Sequence, residues 1–152
     1  MRIMIRTFLV LAVAAMTACS GGTEPATDAQ AFPIVQTMAG ALEGAWTDET
    51  QEVSVFRGVA FAQPPVGDLR WRPPAPVAPW DGTRLATEFG PACWQARNAD
   101  DSPYARGELP RSEDCLTLNV WSAAAAPDER RPVMVWFHGG GFALGSVESH
   151  DE

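Results

Sequence analysis

The residues whose type and spacing speak most directly of chemistry are His138, Gly139, Gly140, Gly141 and Phe142. Three contiguous glycines strip every Cβ from a stretch of backbone, so its N–H groups can turn toward a ligand and approach it closely. Two preorganised N–H donors are what a developing oxyanion requires during acyl transfer. A phosphate cradle is the weaker reading, because the stretch has neither a GK[ST] ending nor GxGxxG spacing. A tight glycine turn with no chemistry is the plain alternative.

Such a loop must be held by regular elements. Directly before it runs Val133–Phe137 (VMVWF), apolar on both faces, which predicts a central strand covered on both sides, as in α/β folds. Residues 116–121 (LTLNVW) predict a second strand, with Leu116, Leu118 and Val120 on one face. Upstream, Ile34–Gln36 and Gln51–Phe61 have strand composition, with turn signals at Gly40 and Gly44 between them. Val53, Val55 and Arg57 alternate against Ser54 and Phe56, the pattern of a half-buried strand. Residues 63–82 hold six of the 13 prolines, a density that admits neither helix nor central strand. They predict a long extended segment laid over the surface and anchored by Trp71 and Trp80. A proline-rich ligand for partner modules is the other reading of the same segment. The chain shows no internal repeat and no heptads.

Composition bounds the rest. The 152 residues, 16.4 kDa, allow about one ordinary domain, and an apolar content of 46% excludes a disordered chain. Six Trp require a large core or interface to cover them. The formal charge is −8, and every base is Arg, so a phosphate backbone is repelled and nucleic acid is excluded as a partner.

The first segment reads as an address. Arg2 and Arg6 precede a short apolar run, Thr7–Ala15, and then Met16-Thr17-Ala18-Cys19. This is the pattern of a secretory signal peptide over residues 1–18, too short to span a bilayer comfortably. The sequence ending at Cys19 resembles a bacterial lipoprotein processing box, with Met16 in place of the usual Leu. Lipidation of Cys19 would anchor the chain to a membrane of the cell envelope; an ordinary cleaved signal is the alternative. Residues 19–31 are small and polar and read as a flexible tether. Cleavage would leave nine Arg against 19 acids, a charge of −10. Export, to the periplasm or cell envelope, places Cys93 and Cys115 in an oxidising compartment, where an even pair commonly joins. A bridge closing that 23-residue loop would stabilise by roughly 3 kcal/mol. Two Cys with no nearby His lack the ligands for a metal site.

From about Phe32 to Ser146 the chain resembles the type B carboxylesterase (cholinesterase-like) family. The matching blocks run in order: residues 56–62 (FRGVAFA), 64–71 (PPVGDLRW), 89–93 (FGPAC), 112–121 (SEDCLTLNVW), 132–142 (PVMVWFHGGGF), and then Gly145-Ser146. The resemblance implies an α/β-hydrolase fold over residues 32–152 and a serine esterase acting on carboxylic esters without a cofactor. It implies that Gly140 and Gly141 supply the oxyanion N–H groups. It also implies that Cys93 and Cys115 form the family's first disulfide. Arg70 and Glu113 match a structural ion pair, tying the proline-rich wrap to the 112–121 strand.

The family places its Ser nucleophile on a G-x-S-x-G elbow beyond the glycine loop, followed by an acid and a His. Here Ser stands at 20, 54, 102, 112, 122, 146 and 149, never in that setting, and His138 and His150 are the only histidines. His138 belongs to the glycine loop, where the family uses it for shape. The expectation is therefore an inactive N-terminal piece of a longer esterase, poorly folded alone and aggregating through VMVWF and LTLNVW. A non-catalytic, lipid-anchored binding or adhesion module of the same fold is the alternative. The segment Trp94–Asp114 has only Trp94 and Tyr104 as aromatics, so cation–π capture of choline is not supported. A general ester substrate is the expectation.

Overall fold

The computed structural model describes residues 32–96, 110–126 and 128–146. Within them the chain folds as short strands. A first sheet joins β1 (Ile34–Gln36), β2 (Ala41–Glu43) and β5 (Thr83–Leu85), in the order β1-β2-β5. Thr37 closes the β1–β2 turn: its hydroxyl donates to Gly40 O at 2.7 Å and accepts the Ala39 and Gly40 N–H groups. The β1–β2 pair is antiparallel and β2–β5 is parallel, with Leu42 opposite Val35 on one side and Arg84 on the other.

The second sheet orders β3 (Ala45–Trp46), β4 (Ser54–Ala60) and β8 (Thr117–Ser122), all antiparallel. β4 is the longest strand, and Ser54, Val55 and Phe56 are all buried, Val55 completely. The expected alternation is therefore absent. β4 lies between two neighbours and has cover on both faces, so consecutive side chains face protein. It also begins later than Gln51, because Gln51 adopts a left-handed φ of 56° in the turn capped by Asp48, whose carboxylate accepts the Thr50 N–H at 2.9 Å. The β4–β8 register shifts between Phe56 and Val59. At this bulge Arg57 N–H donates to Ala86 O at 2.7 Å, and Gly58 N–H, at φ 63°, donates to Asn119 Oδ1 at 2.9 Å.

A small core gathers Leu42, Phe56 and Ala86, with Val59 and Trp80 packed on it. The proline-rich segment runs extended, interrupted by one 3₁₀ turn at Gly67–Leu69. Trp80 anchors it as expected: its backbone N–H donates to Ala39 O at 2.8 Å and its indole Nε1 to Ala41 O at 3.1 Å. Arg84 lies over its ring, 4.2 Å from the centroid. Trp71 does not anchor; it is fully exposed at a φ of 59°.

The two apolar stretches near the glycines differ from expectation. On β8 it is Thr117 and Asn119 that are half-buried, while Leu118 and Val120 lie at the surface. Residues 133–137 form no strand among the described residues, and all five side chains are exposed. The physical reason is the same in both places. An apolar face requires cover from other segments: β8 has its ladder from β4 but no cover over Leu118 and Val120, and residues 133–137 have neither ladder nor cover among the described residues.

Candidate active site

Two cross-links converge on the segment preceding β8. β6 (Ala92–Cys93) pairs parallel with β7 (Arg111–Ser112), with Cys93 opposite Ser112. Cys93 and Cys115 are joined in a disulfide, with Cα atoms 5.1 Å apart. Glu113, between β7 and this bridge, receives the Arg70 guanidinium in a two-pronged contact, Nε to Oε1 at 2.7 Å and Nη2 to Oε2 at 2.5 Å. The hydrogen bond from Arg70 holds the Glu113 carboxyl below the ordinary carboxylate range, and Glu113 in turn raises Arg70. Both partners are partly solvated, so the pair specifies geometry more than it stabilises.

The glycine loop follows residues 133–137. Gly140 and Gly141 take φ values of 124° and 61°, and Phe142 continues the left-handed run at 59°. Gly140 O accepts N–H groups from Ala143 at 3.1 Å and Leu144 at 3.3 Å, closing the turn. A Cβ on Gly140 would collide with the Leu144 carbonyl, whereas one on Gly141 would meet nothing within 4 Å. His138 Nδ1–H donates to Gly139 O at 2.7 Å, which fixes the ring tautomer and braces the loop from within. Among the described residues neither the Gly140 nor the Gly141 N–H has a hydrogen-bond partner, and both glycines are exposed. The turn thus leaves two adjacent backbone donors uncommitted.

The end of the turn is tied back to the disulfide region by a side chain that sequence reading passed over. Gln95 Oε1 accepts the Gly145 N–H at 2.5 Å, and Gln95 Nε2 donates to Gly145 O at 3.0 Å and to Cys93 O at 3.2 Å. A lone Gln in a loop carries no periodic signal that could have singled it out. Cys19 and His150 lie outside the described residues. No group of three or more His, Cys, Asp or Glu able to hold a metal occurs among the described residues.

Comparison with known proteins places this arrangement. Residues 31–152 match the family described as the carboxylesterase family. The chain is 47% identical over 116 residues to phenmedipham hydrolase of Pseudarthrobacter oxydans, covering 75% of this chain and 23% of that protein. It is 47% identical over 113 residues to fumonisin B1 esterase of Sphingopyxis macrogoltabida, covering 74% and 20%. Liver carboxylesterase B-1 of Rattus norvegicus is 37% identical over 158 residues, covering 97% and 27%. The crystal structure of a Geobacillus stearothermophilus carboxylesterase superposes with a TM-score of 0.59 at 42% identity, over 74% of this chain and 21% of that one. The described strands are thus a part of an α/β-hydrolase fold, and the chain spans between a fifth and somewhat over a quarter of the length of these proteins.

Proposed function

Because the chain belongs to the carboxylesterase family, we propose that it forms the N-terminal, oxyanion-binding part of a serine esterase that hydrolyses carboxylic esters. The observation that carries this reading is the pair of N–H groups at Gly140 and Gly141, without partners among the described residues, in a turn that only glycine permits at position 140. In the proposed reaction a Ser hydroxyl contributed by sequence beyond these residues attacks the ester carbonyl, and a His takes its proton. The carbonyl oxygen becomes an oxyanion held by the Gly140 and Gly141 N–H groups. Collapse expels the alcohol, which takes the proton back from the His. Water then cleaves the acyl-enzyme by the same steps. Each oxyanion donor contributes about 3 kcal/mol to lowering the barrier. The residues described here bind and orient charge; they supply neither nucleophile nor base, and by themselves turn over no ester.

The substrate class is a general carboxylic ester. The 94–114 segment offers only Trp94 and Tyr104 as aromatics, which does not favour a cationic alcohol moiety. Export and anchoring belong to the same proposal: residues 1–18 are a signal peptide, Cys19 is lipidated, and residues 19–31 tether the domain to the envelope. Labelling with a lipid precursor tags the wild-type chain and not Cys19→Ala; equal labelling of the two removes the anchor from the proposal.

The test of the enzymatic reading is a serine-directed fluorophosphonate probe applied to the intact gene product, together with a chromogenic short-chain ester. The proposal expects one labelled Ser outside residues 1–152 and saturable hydrolysis abolished by the label. An intact product with neither labelling nor turnover is the binding-module alternative, and the esterase reading falls.

A further inference from the structure

We propose that Gln95 is a positioning residue that sets the oxyanion turn, an inference resting on the esterase reading above. Its side-chain amide occupies both backbone groups of one residue, accepting from Gly145 N–H at 2.5 Å and donating to Gly145 O at 3.0 Å. These bonds span 50 residues of sequence and reach a stretch, 133–146, that pairs with no strand among the described residues. A paired donor and acceptor on one rigid amide fixes both the distance and the rotation of the peptide it holds.

Gly145 is a lever on the catalytic N–H groups. It sits at φ 115° directly against the start of the turn: a Cβ there would meet His138 Nδ1 at 2.5 Å and Gly139 O at 2.6 Å. The residue before it, Leu144, closes the turn onto Gly140 O. Moving Gly145 therefore moves the peptides that present the Gly140 and Gly141 N–H groups. The other end of the lever is anchored. Gln95 stands two residues after Cys93, bonds the Cys93 carbonyl, and Cys93 is covalently joined to Cys115. The disulfide region thus reaches the oxyanion turn through one amide side chain. An error of about 1 Å in placing such donors costs on the order of a hundredfold in rate.

The test compares Gln95→Met, which keeps the length and removes both bonds, with Gln95→Glu, which keeps the acceptor for Gly145 N–H and sets a carboxylate against Gly145 O. Both are made in the intact gene product. Two quantities are read: ester kinetics, and backbone amide exchange over residues 138–146 and 54–60. The expected result is kcat lower by about ten- to a hundredfold with KM changed less than about twofold. Exchange accelerates across 138–146 and is unchanged across 54–60, with Gln95→Met the more affected. Unchanged exchange at 138–146 overturns the proposal whether or not the protein hydrolyses esters. So does accelerated exchange with wild-type kcat, and so does loss of protection at 54–60 in both variants, which would make Gln95 a general stabiliser. A wild-type product without ester turnover sinks the esterase reading separately, while the exchange data still decide the Gln95–Gly145 link.

Discussion

Arg70 and Glu113, 43 residues apart in sequence, meet through two parallel hydrogen bonds of 2.7 and 2.5 Å. The contact pins the end of the Gly67–Leu69 turn to the segment that also carries Cys115. Since Arg70 lowers the Glu113 pKa, the pair contributes stability above the ordinary Glu range, near pH 4.5, and loses it as the pH falls through the lower folded value.

Glu113→Gln therefore lowers the midpoint of thermal unfolding modestly at pH 7, and the gap to wild type closes as the pH is taken from 5 toward 3. Thermal melts of the intact gene product in both forms across that range check the sign. A gap that is constant with pH would mean that the carboxylate charge does not matter to the contact.

The disulfide closes a loop with a sequence separation of 22. Replacing both cysteines by Ser costs about 3 kcal/mol through the unfolded chain's regained freedom. Denaturant titration of the intact gene product, as oxidised wild type and as the double variant, measures it. The variant should also accelerate amide exchange at residues 138–146, because the anchor of Gln95 is loosened.

Val133, Met134, Val135, Trp136 and Phe137 are all exposed, as are Leu118, Val120 and Trp121 on β8. Open apolar strand-formers of this kind associate edge to edge. The 152-residue chain expressed alone is expected to aggregate at micromolar concentration, and Val135→Lys to raise its soluble fraction several-fold. Light scattering during refolding reads this. A soluble wild-type monomer with a cooperative melt would contradict it.

What was legible in the sequence depended on how local the cause was. The glycine turn, the proline-rich wrap and the Trp80 anchor follow from residue chemistry that acts over a few positions, and each is found where residue type placed it. The disulfide was legible from export and an even cysteine pair, with family resemblance in agreement, whereas the Arg70–Glu113 pair, 43 residues apart, could be assigned only through resemblance, since side-chain periodicity is silent about distant partners. β4 was legible as a strand but not in its pattern, because burial on both faces erases alternation. Trp71 was misjudged because aromatic character signals a need for cover, not the place where cover exists. VMVWF was misjudged for the same reason: its apolar faces specify an environment that must come from elsewhere. Four of the six Trp, at 71, 94, 121 and 136, lie exposed, which is the same shortfall of cover seen elsewhere among the described residues. Gln95 was invisible because a single hydrogen-bonding side chain leaves no pattern at all.

The most direct measurement replaces the amide of Gly141 alone, by incorporating glycolic acid at that position in the intact gene product. The side-chain-free bend is kept, and one N–H becomes an ester oxygen. The account predicts a loss of about 10² to 10³ in kcat for a chromogenic ester with KM little changed. Wild-type turnover from that protein would show that the Gly141 N–H binds no oxyanion and would contradict the role assigned to the loop.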